Sequence, residues 1–223
     1  MDDATFGHLI DGAVHRYAAS GRFAMGMARG KIARDPVYRA LLERGIDRSG
    51  SVTDLGCGRG LVLALILEAA KERTPPRLTG VEVVRSLARQ AQAACGAAAT
   101  IAVEDLAVTE PAPTDVVVLV DVLHYLSPLD QDRLLERAAA ALPRGGRMFV
   151  READGAAGAR FRAVQGSERF FALVRGEGWR PFAYRSAVAW RRRLETLGLA
   201  VEIAPMGTGT PFGNVLLEAR ASA

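Results

Sequence analysis

From Ser51 onward the chain alternates short apolar runs, rich in β-branched residues, with longer stretches of helical spacing. That alternation predicts a parallel sheet with helices packed on it. SVTDL (51–55) reads as a buried first strand and LVLALILEAAKER (61–73) as the helix after it, stopped by TPP (74–76). LTGVEVV (78–84) reads as the second strand, SLARQAQAACG (86–96) as a helix closed by Gly96, and TIAVED (100–105) as a short third strand. VVVLV (116–120) has no polar face, so both of its faces are expected to be covered. Ser127 caps the next helix, Pro128 takes its first position, and Asp130 complements the positive end of its dipole. That helix is expected to run to Leu142, where PRGG turns the chain into the strand RMFVRE (147–152). AVAWRRRLETLG (187–198), LAVEIAP (199–205) and NVLLEAR (214–220) predict a closing helix and a pair of strands.

Two regions stand outside the alternation. Residues 1–45 are helix-prone and precede the first core strand, so they predict an N-terminal helical cap. Residues 153–185 form an insertion rich in arginine and aromatics after the fifth strand, and a long excursion beside the ligand-binding edge of a sheet predicts a lid. The expected organisation is one domain over 1–223: the cap, a core over 50–152, the lid, and the closing helix and strands over 186–223. With 49% hydrophobic and 24% charged residues the composition is that of a soluble globular protein. The most apolar run, LVLALIL (61–67), is far short of a membrane span. Two cysteines without paired spacing point to reduced thiols and the cytoplasm.

The net charge of +4 raises the question of nucleic acid, and the distribution of charge argues against it. Only Lys31 and Lys71 are lysines, the arginines are spread along the chain, and RRR (191–193) is the one tight run. Such a run reads as a solvated helix face before it reads as a phosphate track.

Between the first strand and its helix lies D-L-G-C-G-R-G (54–60). A glycine turn at this place binds a nucleotide-like ligand in doubly wound folds. The dinucleotide fingerprint G-x-G-x-x-G would need a glycine at Leu61, and its pyrophosphate would be repelled by Asp54. S-adenosylmethionine has no phosphate and brings a sulfonium and an ammonium, which a carboxylate attracts. Glu82, ending the second strand, suits both hydroxyls of a ribose, a role it would equally have toward NAD. Asp105, after the third strand, suits an adenine amino group, or is an ordinary exposed loop acid.

VTDLGCGRG, GVEVV, VEDL, DVVVLVDVLHYL and LPRGGRMFV, in this order and spacing, resemble the class I S-adenosylmethionine-dependent methyltransferases. The resemblance covers roughly residues 50–152. It implies a doubly wound α/β fold, a seven-stranded Rossmann-like sheet with an antiparallel last strand, and S-adenosylmethionine as cofactor with S-adenosylhomocysteine as product. The cofactor-binding positions it implies are Asp54, Leu55, Gly56, Cys57, Gly58, Gly60, Glu82, Val83, Asp105, Leu106, Asp121 and Val122. The ends, GKIARDPVYRALLERG and PMGTGTPFGNVLLEAR, are similar to a bacterial subgroup from aryl-polyene-type pigment clusters.

The acceptor is expected to be a small molecule, aromatic or lipid-like, methylated on oxygen. An RNA or protein acceptor, or a cofactor-binding protein without catalysis, are the other readings. His124 in DVLHYL resembles the catalytic histidine of phenol O-methyltransferases; it is either a general base or a residue packed beside the cofactor. Tyr125 reads as wall. Phe161, Phe170 and Trp179, with Phe171, Phe182 and Tyr184, predict an aromatic pocket in the insertion or a small core of its own. Tyr17, Phe23 and Lys31 in the cap are the alternative acceptor surface. No Cys, His or Asp cluster has metal-ligand spacing, so no metal is expected.

Overall fold

The structure is a computed structural model that describes residues 1–156, 182–207 and 213–222. Phe161, Phe170, Phe171 and Trp179, expected to form an aromatic pocket or a small core, lie outside the described residues. Seven strands form one sheet: β1 (Ser51–Leu55), β2 (Arg77–Val81), β3 (Ala99–Ala102), β4 (Val116–Val120), β5 (Arg147–Ala153), β6 (Leu199–Pro205) and β7 (Asn214–Ala221). Their order is β3-β2-β1-β4-β5-β7-β6. The first five run parallel, and β7 is antiparallel to both β5 and β6. The order reverses between β1 and β4, and in doubly wound sheets ligands bind in the crevice outside the carboxyl ends of the strands at that reversal.

Three helices form the cap: α1 (Asp3–His15), α2 (Gly21–Arg34) and α3 (Pro36–Glu43). Asp2 caps α1 by accepting from the Thr5 N–H at 2.8 Å, and Asp35 caps α3 by accepting from the Val37 N–H at 3.2 Å. The cap packs on α4 (Leu61–Ala69), whose residues Val62 to Leu67 are all buried. A helix apolar all round must be covered all round. Here the sheet lies on one side and α1 on the other, which accounts for the LVLALIL run. The opposite face of the sheet carries α6 (Pro128–Ala140) and α7 (Ala187–Thr196), with Leu134, Leu135, Ala138, Trp190 and Leu194 in its core. Helix α5 (Arg85–Cys95) packs against α4 and β3.

Several elements end sooner than their sequence pattern. The α4 helix stops at Ala69 instead of Arg73, where Arg73 reaches back to the Asp47 side chain and carbonyl. Strand β2 stops at Val81, because the Glu82 carboxylate accepts from the Val84 N–H at 2.7 Å and turns the chain into α5. Strand β3 stops at Ala102, ahead of an Asx turn in which Asp105 accepts from the Ala107 N–H at 2.9 Å. Among the described residues no helix is long and apolar enough to cross a membrane.

Candidate active site

The glycine turn leaves β1 with Gly56, Gly58 and Gly60 all at positive φ, a region that favours glycine. Two of them serve different ends. A Cβ on Gly56 would lie 2.3 Å from Val122 Cγ2, so Gly56 lets the turn after β4 close against the turn after β1. A Cβ on Gly58 would meet nothing within 4 Å, so the space above it is open to a ligand. The Glu82 carboxylate accepts from the Gly58 N–H at 2.9 Å through one oxygen and from the Val84 N–H through the other. It therefore fixes the turn, and each oxygen retains a lone pair for a hydroxyl donor.

Asp54, 2% exposed at the end of β1, has no polar solvent to stabilise its charge. Burial, with the Glu82 carboxylate adding to it, pushes the Asp54 carboxyl up to about 7. A buried acid of this kind gains from an incoming cation. Leu55 and Leu106 are buried in the core beneath the crevice. Cys57, in the turn, is buried and a free thiol; burial holds it well above the ordinary thiol range. Val83 and Asp105 are exposed on the rim.

The third wall follows β4. Asp121 has φ 54, the one positive φ among the described residues that are not glycine. Its carboxylate pairs with Arg151 and lies 3.5 Å from Lys31 Nζ. Burial alone would raise Asp121, but Arg151 and Lys31 hold it below the usual carboxylate range. Val122 leads into the turn Leu123–Tyr125, and His124 there is 3% exposed. His124 Nδ1 is 2.8 Å from Glu152 Oε2, while Glu152 Oε1 accepts from the Leu123 N–H at 2.7 Å. Glu152 is itself 1% exposed. The buried Gln131 amide donates to the carbonyls of Leu123, Leu126 and Ala183, so the turn is held from below. The His124 ring stacks on Tyr184 at 5.0 Å and lies 4.3 Å from Tyr125 and 5.7 Å from Phe182.

The structure thus brings together Asp54, the glycine turn, Glu82, Asp121, Val122, His124 and Tyr125 at the carboxyl ends of β1, β2 and β4. In the cap, Tyr17 is fully buried and donates its hydroxyl to the Arg59 carbonyl at 2.9 Å, so it braces the glycine turn. Phe23 is 76% exposed on α2, on the same helical face as Met27 and Lys31. Sequence reasoning missed Glu152, Arg151, Asp35 and Gln131. The signal for the first two was present: an adjacent Arg-Glu pair ending a central strand is an unusual place for two charges. Among the described residues no group of three or more His, Cys, Asp or Glu is placed to hold a metal ion.

Comparison with known families decides the classification. A family model described as a methyltransferase domain matches residues 27–203. The chain belongs to this methyltransferase family. A curated relative, the ubiquinone biosynthesis O-methyltransferase of Xylella fastidiosa, is 30% identical over 150 residues, covering 64% of this chain and 58% of the relative. The chain therefore spans little more than half the length of that relative. Among solved structures, an O-methyltransferase family protein from Burkholderia thailandensis superposes with a TM-score of 0.69 at 21% identity, over 93% of this chain and 62% of that one. Magnesium protoporphyrin IX methyltransferase from Synechocystis PCC 6803, with bound SAH, gives 0.62 at 20% identity over 90% and 88%. These likenesses establish that the methyltransferase shares their seven-stranded fold.

Proposed function

We propose that this methyltransferase uses S-adenosylmethionine to methylate an oxygen of a small-molecule acceptor. When bound, the cofactor supplies a methyl group already activated by its sulfonium charge. The residues present fit it: the open space over Gly58 admits it, Glu82 offers acceptors to ribose hydroxyls, and the buried Asp54 favours a cation. The exposure of Val83 and Asp105 leaves them available to the adenine end, and Val122 packs on the glycine turn beside Asp121.

The observation that carries the oxygen reading is the buried His124–Glu152 pair. Glu152 takes the Leu123 N–H with one oxygen, and in this reading its other oxygen accepts from the Nδ1–H of His124. This tautomer puts the basic lone pair on Nε2, suited to removing a proton from a hydroxyl as the methyl arrives. The rings of Tyr125, Phe182 and Tyr184 around the imidazole suit a flat acceptor. The Xylella relative, an O-methyltransferase, agrees in kind. The burial of His124 also favours a second reading, in which the ring only packs beside the cofactor.

Formation of S-adenosylhomocysteine across phenols, catechols and carboxylic acids tests the proposal. With an acceptor found, His124→Ala should lower turnover about 10²–10⁴-fold with cofactor affinity nearly unchanged, and Glu152→Gln should follow it. Weakened cofactor binding with turnover at saturation intact would assign His124 to packing. Product formed only with RNA or protein would move the acceptor out of the small-molecule class.

A further inference from the structure

Four charged side chains close a ring at the carboxyl ends of β4 and β5, and the chemistry above uses only one of them, Asp121. Arg151, 4% exposed, donates to Asp121 through one terminal nitrogen and to both oxygens of Asp35, at 3.2 and 3.1 Å, through the other. Lys31 completes the circuit at 3.3 Å from Asp35 and 3.5 Å from Asp121. Two cations and two anions balance. Removing Arg151 leaves the buried Asp35 carboxylate with only the half-exposed Lys31, so Arg151, Asp35 and Asp121 act as a unit.

The elements it joins give the ring its meaning. Asp35 ends α2 and caps α3, so it is the joint of the cap. Asp121 holds a left-handed backbone at the end of β4, and its neighbour Val122 packs on Gly56 of the glycine turn. On the other side of the crevice the cap is fastened separately, by Tyr17 to the Arg59 carbonyl. The cap therefore straddles the crevice between β1 and β4, pinned on both banks. The Tyr17 attachment is buried among apolar residues, whereas the Lys31 side of the ring is half-exposed.

We infer that Arg151 and Asp35 are positioning residues of the cofactor site: acting through Asp121, they set the wall opposite the glycine turn and couple it to the seating of the α2–α3 joint. This rests on the cofactor reading, since the ligand in the crevice is what the coupling acts on. Linkage makes the effect reciprocal: a ligand that tightens the ring is weakened by the same factor when the ring is broken.

Hydrogen exchange on the full chain, with and without S-adenosylhomocysteine, tests it alongside calorimetry. In the wild type the ligand should slow exchange of amides 31–38 about fivefold or more, and in Arg151→Met by less than about twofold. Arg151→Lys, which keeps one charge but not the fork, should fall between them. The dissociation constant should rise in Arg151→Met by the factor of protection lost. If Arg151→Met fails to fold, Asp35→Asn carries the same expectation, since asparagine still caps α3. Equal protection in variant and wild type, or none in a wild type that calorimetry shows to be loaded, overturns the inference. No binding to the wild type at all would instead overturn the cofactor reading, and this inference with it.

Discussion

A carboxyl that holds its proton to about pH 7 is a sensor for whatever cation approaches it, and Asp54 is such a group. In the folded state without ligand it stays protonated well above 3.8, where an ordinary aspartate ionises. The folded chain therefore binds more protons than the unfolded one between those values. Stability of the ligand-free protein should decline as pH rises through that window, and Asp54→Asn should flatten the decline, as read by denaturant midpoints. Affinity for S-adenosylmethionine should move the other way, rising by at most about tenfold per pH unit and levelling above 7. Calorimetry from pH 5.5 to 8 checks this; a flat profile would mean the bound cation does not face Asp54. Gly58→Val should abolish binding, because its side chain fills the open space and its φ is 56. Asp54, Glu82 and the glycines were legible because each chemistry needs a fixed residue type at a fixed strand end. Glu152 was not, because its partner His124 is 28 positions away and only the alignment of β5 beside β4 brings them together.

The cap and the turn illustrate what elements add. Tyr17→Phe removes one hydrogen bond between α1's end and the glycine turn while keeping the ring. It should cost about 0.5–1.5 kcal/mol, seen as a several-fold weaker grip on S-adenosylhomocysteine with little change in fold. An unchanged dissociation constant would mean the turn keeps its shape without the tyrosine. The strands were legible from apolar runs and the helices from caps and glycine stops, down to Ser127 accepting from the Asp130 N–H. Element ends were less so. Side chains such as Glu82, Asp105 and Arg73 bond to nearby backbone and halt the pattern early, and hydropathy carries no trace of that competition.

At the scale of the whole molecule, the cap and the sheet share one core. Phe6, Ile10, Val14 and Tyr17 belong to the same buried cluster as Leu63, Ile66 and Phe149. Each large side chain returned to water forfeits about 1.5–3 kcal/mol, so a handful reaches the roughly 5–15 kcal/mol by which a domain is stable. A chain begun at Ser49 would turn one side of α4 into an exposed apolar strip. It should bind a hydrophobic dye, lose its cooperative melt and self-associate, as scattering and calorimetry would show; a monomer with a sharp transition would mean the core stands alone. The sequence from Ser51 to Glu152 carries the family's motifs, and the expected outcome makes the roof part of the smallest piece of this molecule that folds.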